Sequence, residues 1–158
     1  MTWRGTTTVS DRVFASLPYL LPLVEVLVFG KFLIGQFPII GVLFLPLLPL
    51  LSIYRVNSFV PLLIFLALFI FVVRNEKINH FIRFNTMQAI LLDIVIFLCN
   101  IITDVIGLVP SSDFAVQTLY TTIFLGIVGA AIYSIAQSLL GRYAEIPAIS
   151  EAVYTQVR

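Results

Sequence analysis

Residues 74–93 read RNEKINHFIRFNTMQAILLD, and the reading of this stretch decides the fold. Its first half carries Arg74, Lys77 and Arg83, three of the 9 basic residues, together with the 1 histidine, His80. Its second half runs without a break into an apolar segment that already holds Asp93. Hydrocarbon rejects the first half and water disfavours the second, so a boundary between membrane and water falls inside the stretch.

Outward from it, both halves of the chain are apolar. Of 158 residues, 60% are hydrophobic and 11% charged, where a soluble domain carries about 25% charged residues. So short a chain cannot enclose that much apolar surface in a core of its own. Lipid is the fitting solvent, and continuous rather than alternating apolar runs favour helices over a barrel. The expectation is a single all-α integral membrane domain over residues 1–158. Four transmembrane helices are expected at 37–54, 56–73, 86–109 and 114–140, with interfacial amphipathic segments at the N-terminus, the central connector and the C-terminus. The net charge of +1 names no partner and nothing points to nucleic acid. Cys99, the one cysteine, reads as a small buried hydrophobe.

The opening MTWRGTTTVSDR is short and polar, and neither a removable signal peptide nor an Arg- and Ser-rich transit sequence is recognisable. Segment 10–30 begins with Ser10 or Asp11 as candidate N-cap. Pro18, Pro22 and Glu25 argue for a tilted or interfacial helix, with a full span as the alternative. A break is expected from Gly30 and Lys31 to Pro38. In 37–54, Pro46 and Pro49 predict a kink, and Tyr54 and Arg55 are expected to close the span at the interface as an aromatic and snorkelling pair. Segment 56–73 is almost purely Leu, Ile, Phe and Val and suits lipid. In 74–85, Asn75 is a candidate cap for a short surface helix. Ile78, Phe81 and Ile82 would face the membrane and Lys77, His80 and Arg83 the water. A lone histidine there reads as polar surface.

Segment 86–109 is the informative one. Thr86, Ala89, Asp93, Asn100, Asp104 and Gly107 fall on one narrow helical face. A carboxylate near the bilayer centre costs about 2.5–3.5 kcal/mol on insertion scales, so this stripe should face protein or a hydrated path. For Asp93 and Asn100 both readings stand, hydrogen bonding within the bundle or the wall of a polar pathway. Asp104 reads as interfacial. In 114–140, Thr118, Thr122, Gly126, Gly129, Tyr133 and Gln137 share a face whose small residues suit close helix packing. Tyr133 and Gln137 could instead bond the polar groups of the preceding span. In the tail 141–158, Ile146, Ile149 and Val153 fit a short docked helix with Pro147 at its start.

With four spans, Arg4, Arg12, Lys31, Arg74, Lys77, Arg83, Arg142 and Arg158 share one side and Arg55 alone is opposite. If 10–30 also spans, six basic residues stand against three. The positive-inside rule prefers the first arrangement, with both termini in the cytoplasm or its organelle equivalent. No phosphate loop, paired cysteines, HExxH or GxSxG is present. Neither an enzyme nor a cofactor or metal site is expected, and the halves show no inverted repeat.

Several blocks in order carry a resemblance. They are RVFASLPYLLPL with Phe29-Gly30 and Phe37-Pro38, then IYR, then VRN, then HFIRFNTMQAILLDI, and last IPAISEAV. The most specific is Arg83-Phe84-Asn85-Thr86-Met87-Gln88 leading to Asp93. Over nearly the whole chain the sequence resembles the Tic20 family, the small polytopic subunit of the protein translocon at the chloroplast inner envelope, and its cyanobacterial relatives. The resemblance implies a four-helix membrane protein of the plastid inner envelope or a cyanobacterial membrane, both ends stromal or cytoplasmic. A cyanobacterial or plastid-encoded type is the closer match. It also implies a translocon subunit whose partners are the bilayer, other membrane subunits and a translocating polypeptide, and it carries over no catalytic residues. Two alternatives stay open from the residues: an assembly subunit without a conducting role, and a small-solute or ion carrier.

Overall fold

The computed structural model describes residues 6–157. The expectations for Arg4 and Arg158 lie outside them. Among the described residues there are helices, turns and no strand. In chain order the helices are α1 (Val9–Gln36), α2 (Pro38–Leu43), α3 (Leu45–Tyr54), α4 (Val60–Val73), α5 (His80–Gly107), α6 (Asp113–Leu139) and α7 (Ile149–Gln156). Three of them, α1, α5 and α6, are long and apolar enough to cross a membrane, at 28, 28 and 27 residues. At a rise of 1.5 Å per residue each is about 40 Å long, against about 30 Å of hydrocarbon.

The largest departure from expectation is α1. It is capped by Thr8 rather than by Ser10 or Asp11. The Asp11 amide donates to Thr8 Oγ1 at 3.2 Å while Asp11 Oδ2 accepts from the Thr8 amide at 2.9 Å, a capping box. The prolines do not stop it. Short 3₁₀ turns at Leu17–Tyr19 and Val26–Gly30 take up the missing donors, and the helix continues through Gly30. It ends at Phe37, which Pro38 holds in an extended conformation. Instead of lying at an interface, α1 packs along both α5 and α6. Tyr19, Val26 and Phe29 meet Ala89, Leu92 and Ile96 of α5 and Phe124 and Ile127 of α6 in the main core. Gly30 permits that contact, since a Cβ there would lie 2.8 Å from the Phe124 ring.

The expected spans 37–54 and 56–73 are rearranged as well. The 10-residue α3 and the 14 residues of α4 are each too short to cross about 30 Å of hydrocarbon alone. They run in sequence along the bundle. Phe44, before α3, meets the Phe124 ring at a tilt, with centroids 5.8 Å apart. Tyr54, at the end of α3, packs against Leu21 and Val24, and Ile64 and Leu68 of α4 join the same cluster. The end of α4, Val73, packs against Phe84 and Met87 near the start of α5. Tyr54 and Arg55 therefore lie half-way along the bundle and not at its edge.

The central connector is a turn, not a surface helix. Asn75 Oδ1 accepts from the Lys77 amide within it, and the helix start belongs to Asn79, which caps α5 through the Phe81 amide. Gly141, at φ 73°, closes α6 in the left-handed region that glycine favours. The tail returns over α5, with α7 beginning at Ile149 after Pro147 and docking through Val153 and Val157.

Candidate functional site

The family-like block at the start of α5 is buried, and it forms the polar centre of one end of the bundle. Asn85, Thr86 and Gln88 are wholly buried, with Tyr19 of α1 and Ser134 and Ser138 of α6. Asn85 Oδ1 accepts from the Tyr19 hydroxyl at 2.8 Å and from Ser138 Oγ at 2.9 Å. Its amide nitrogen donates to the Phe81 carbonyl of its own helix. Gln88 Nε2 donates to the Tyr19 hydroxyl at 3.0 Å and to the Ala144 carbonyl at 2.6 Å, while Gln88 Oε1 accepts from Ser150 Oγ at 2.9 Å. Two carboxamides thus tie α1, α5, α6 and both parts of the tail together. Each such bond is worth about 1 kcal/mol net, whereas orphaning one buried group costs about 1–3 kcal/mol.

The neighbours in the block act differently. Arg83 was expected to face water. It is buried, and its Nε donates to the Val73 carbonyl at 2.8 Å, which ties the end of α4 to α5. Phe84 lies among the rings of Tyr143 and Tyr154, and Met87 fills the cluster beneath α7. His80, expected as surface, bridges to the tail, with Nδ1 at 2.9 Å from the Tyr143 hydroxyl and Nε2 at 3.3 Å from the Val157 carbonyl.

The stripe on α5 divides into separate environments. Thr86 Oγ1 is buried without a hydrogen-bond partner. Asp93 points inward at half-depth, its Oδ1 buried and unpartnered. Glu25 of α1 and Tyr54 of α3 lie within electrostatic reach of it. Asn100 turns back to donate to the Ile96 carbonyl of its own helix at 3.3 Å. Asp104 is exposed near the far end. No continuous ladder of bonds links the four.

The expected packing face of α6 points outward. Thr122, Gly126, Gly129 and Tyr133 are exposed, Gln137 is half-buried, and a Cβ at Gly126 or Gly129 would meet nothing within 4 Å. Within the chain α6 packs instead through Phe124, Ile127, Ala131, Ser134 and Ser138. That face supplies both the ring volume for the core and the Ser138 hydroxyl for Asn85, which glycines cannot. Tyr133 and Gln137 therefore do not reach the stripe of α5.

Tyr19, Ser134, Ser138 and Ser150 were not singled out from the sequence. Ser134 and Ser138 sit one turn apart in an apolar run, a spacing that marks one hydroxyl-bearing face. Tyr19, between two prolines, gave no comparable signal.

The comparisons with known proteins agree with the blocks quoted above. A family model described as "Chloroplast import apparatus Tic20-like" matches residues 9–153. The chain is 46% identical to a Tic20 family protein of Synechocystis sp., over 100% of this chain and 99% of that one. It is 33% identical to the Tic20 family protein Ycf60 of Porphyra purpurea, over 99% of this chain and 80% of that protein. It is 30% identical to Protein TIC 20-II, chloroplastic, of Arabidopsis thaliana, over 96% and 74%. A match along almost the full length, from the start of α1 into α7, shows a single family: the chain belongs to the Tic20 family.

Proposed function

We propose that this chain is a membrane subunit of a protein translocation complex of the import-apparatus type, in a plastid inner envelope or a cyanobacterial membrane. The observation that carries the reading is the full-length family match, and the placement of Asp93 and Glu25 supports it. Two carboxylates held at half-depth between helices suit a protein that borders a polar path. The single bundle is filled at its centre by Tyr19, Phe29 and Phe124. A path for a polypeptide therefore runs between this chain and other subunits, with Asn100 and the exposed Asp104 as candidate wall residues and with Thr86 and Asp93 of the same stripe inside the bundle behind them. The exposed Gly126 and Gly129 face of α6 is the surface against which a neighbouring helix packs closely.

In this reading residues 1–158 form one membrane domain that crosses four times. The crossings are α1, the broken run from α2 to α4, α5 and α6. Both termini then lie on one side, with Arg12, Arg74, Lys77, Arg83 and Arg142, while Lys31, expected with them, falls at the other end of α1; the excess still fits a stromal or cytoplasmic face by the positive-inside rule. The tail and the connector lie at that surface.

The test is site-specific photocrosslinking from residue 100 during transport of a precursor arrested in transit. An adduct with the passing chain supports the reading. Asp93→Leu and Asn100→Leu should slow transport while the complex still assembles. If both substitutions lower only the amount of complex and no adduct forms, the chain is an assembly subunit instead.

A further inference from the structure

The break between α3 and α4 is an exposed polar notch at half-depth. Tyr54, the last residue of α3, packs on Leu21 and Val24, which sit at the middle of the 28-residue α1. It also lies within electrostatic reach of Asp93, at the middle of the 28-residue α5. Both helices are about 40 Å long, so the residues that follow Tyr54 sit close to 20 Å from either end. Those residues are Arg55, Val56, Asn57 and Ser58, and all four are exposed.

Two features of the notch conflict with lipid, and a third argues against open water. Arg55 has no carboxylate within ion-pair distance among the described residues. Asn57 Oδ1 is occupied by the Phe59 amide at 3.0 Å, yet the Asn57 and Ser58 amides find no backbone acceptor among the described residues. The flanking side chains, Ile53, Val56 and Phe59, are exposed and apolar, so the surroundings are hydrocarbon and not a wide aqueous vestibule. Non-helical backbone persists at membrane depth only where protein or enclosed water covers it. A snorkelling arginine does not span the roughly 15 Å to either edge of the hydrocarbon.

We propose that this notch is an intersubunit contact, covered by a transmembrane helix of another polypeptide that presents an aspartate or glutamate to Arg55 at half-depth. Charge complementarity selects the partner's chemistry. A guanidinium in a dry setting is matched best by a carboxylate, which accepts two of its parallel donors. The apolar rim of Ile53, Val56 and Phe59 packs on the rest of that helix. The inference rests on the reading of the chain as a subunit of a membrane complex, and adds which surface joins it to its neighbour and by what pair.

The experiment uses the full chain in its native membrane. A photoreactive amino acid at position 57 should yield one protein adduct. Peptide mapping should place it in a transmembrane segment with Asp or Glu within one turn of the crosslink. Arg55→Glu should reduce co-purification of that partner at least tenfold, Arg55→Lys should retain it, and replacing the mapped carboxylate with Arg should restore the Arg55→Glu complex. Rescue excludes misfolding as the cause of the loss. An adduct with lipid alone overturns the proposal. So does labelling of Asn57→Cys by a membrane-impermeant maleimide, or an intact complex with Arg55→Glu. If the unaltered chain co-purifies with no membrane protein, the translocon reading fails too. If that complex forms but ignores Arg55→Glu, only the notch assignment fails.

Discussion

Tyr19 and Asn85, 66 positions apart in sequence, share a 2.8 Å hydrogen bond in a region from which both side chains see no solvent. The bond joins α1 to α5, and Ser138 of α6 donates to the same oxygen. Three helices are therefore registered along their axes by one carboxamide. Apolar packing alone would let them slide by a turn at small cost, because Leu, Ile and Phe faces are nearly interchangeable.

Asn85→Leu should consequently destabilise the bundle by about 2–4 kcal/mol, since it leaves both the Tyr19 and Ser138 hydroxyls without their acceptor. Tyr19→Phe removes the donor to Asn85 and one acceptor of Gln88 Nε2, which keeps the Ala144 carbonyl, and about 1–2 kcal/mol is expected. Thermal unfolding of the purified protein in detergent measures both. A larger loss for Tyr19→Phe than for Asn85→Leu contradicts the clamp.

Gln88 holds the tail from two sides, through the Ala144 carbonyl and Ser150 Oγ. Gln88→Leu should free residues 142–157 while α1, α5 and α6 stay packed. Hydrogen exchange should rise at least tenfold in α7 and remain unchanged around Leu92 and Ile96. Uniform exchange across the chain would show that the tail is not a separate unit.

Glycines should separate by location. Gly30→Ala puts a methyl group 2.8 Å from Phe124 and should cost about 1–3 kcal/mol through overpacking. Gly126→Ala and Gly129→Ala meet open space and should be neutral or slightly stabilising in the isolated chain, because alanine favours helix by about 1 kcal/mol. Bulkier Gly126→Leu should spare the isolated chain yet weaken assembly if a neighbouring helix packs there. Size-exclusion profiles of the complex give the readout.

Gly141 lies at φ 73°, and a Cβ there would be 2.7 Å from Thr7 Oγ1. Gly141→Val combines left-handed strain with that clash and should shorten the C-terminal cap of α6. A fall in melting temperature with a selective gain in proteolysis near residue 141 is expected. Gly107→Val, with open space around it, is the control.

What the residues disclosed by themselves follows from composition and period. Helices in lipid satisfy their own backbone, so a very apolar chain with one polar connector is legible as a helical membrane bundle, although α5 begins at His80, inside the stretch expected as a connector. The block around Asn85 was equally legible as the most specific signature. Its burial was not. Local amphipathicity of residues 74–85 pointed Arg83 outward, whereas the returning tail covers that side and supplies partners from more than 50 residues away. The same holds for α1, whose prolines and Glu25 read as obstacles to a span. Tight 3₁₀ turns absorb the prolines, and α5 sets Asp93 opposite Glu25. Sequence alone determined how much of this protein belongs in lipid and which block names its family, because both are sums over local chemistry. Only the tertiary structure decided which faces meet, that α3 and α4 run in sequence along the bundle, and that Arg55 stands between them. Those outcomes depend on which distant side chains complete each buried hydrogen bond, and no local pattern encodes that.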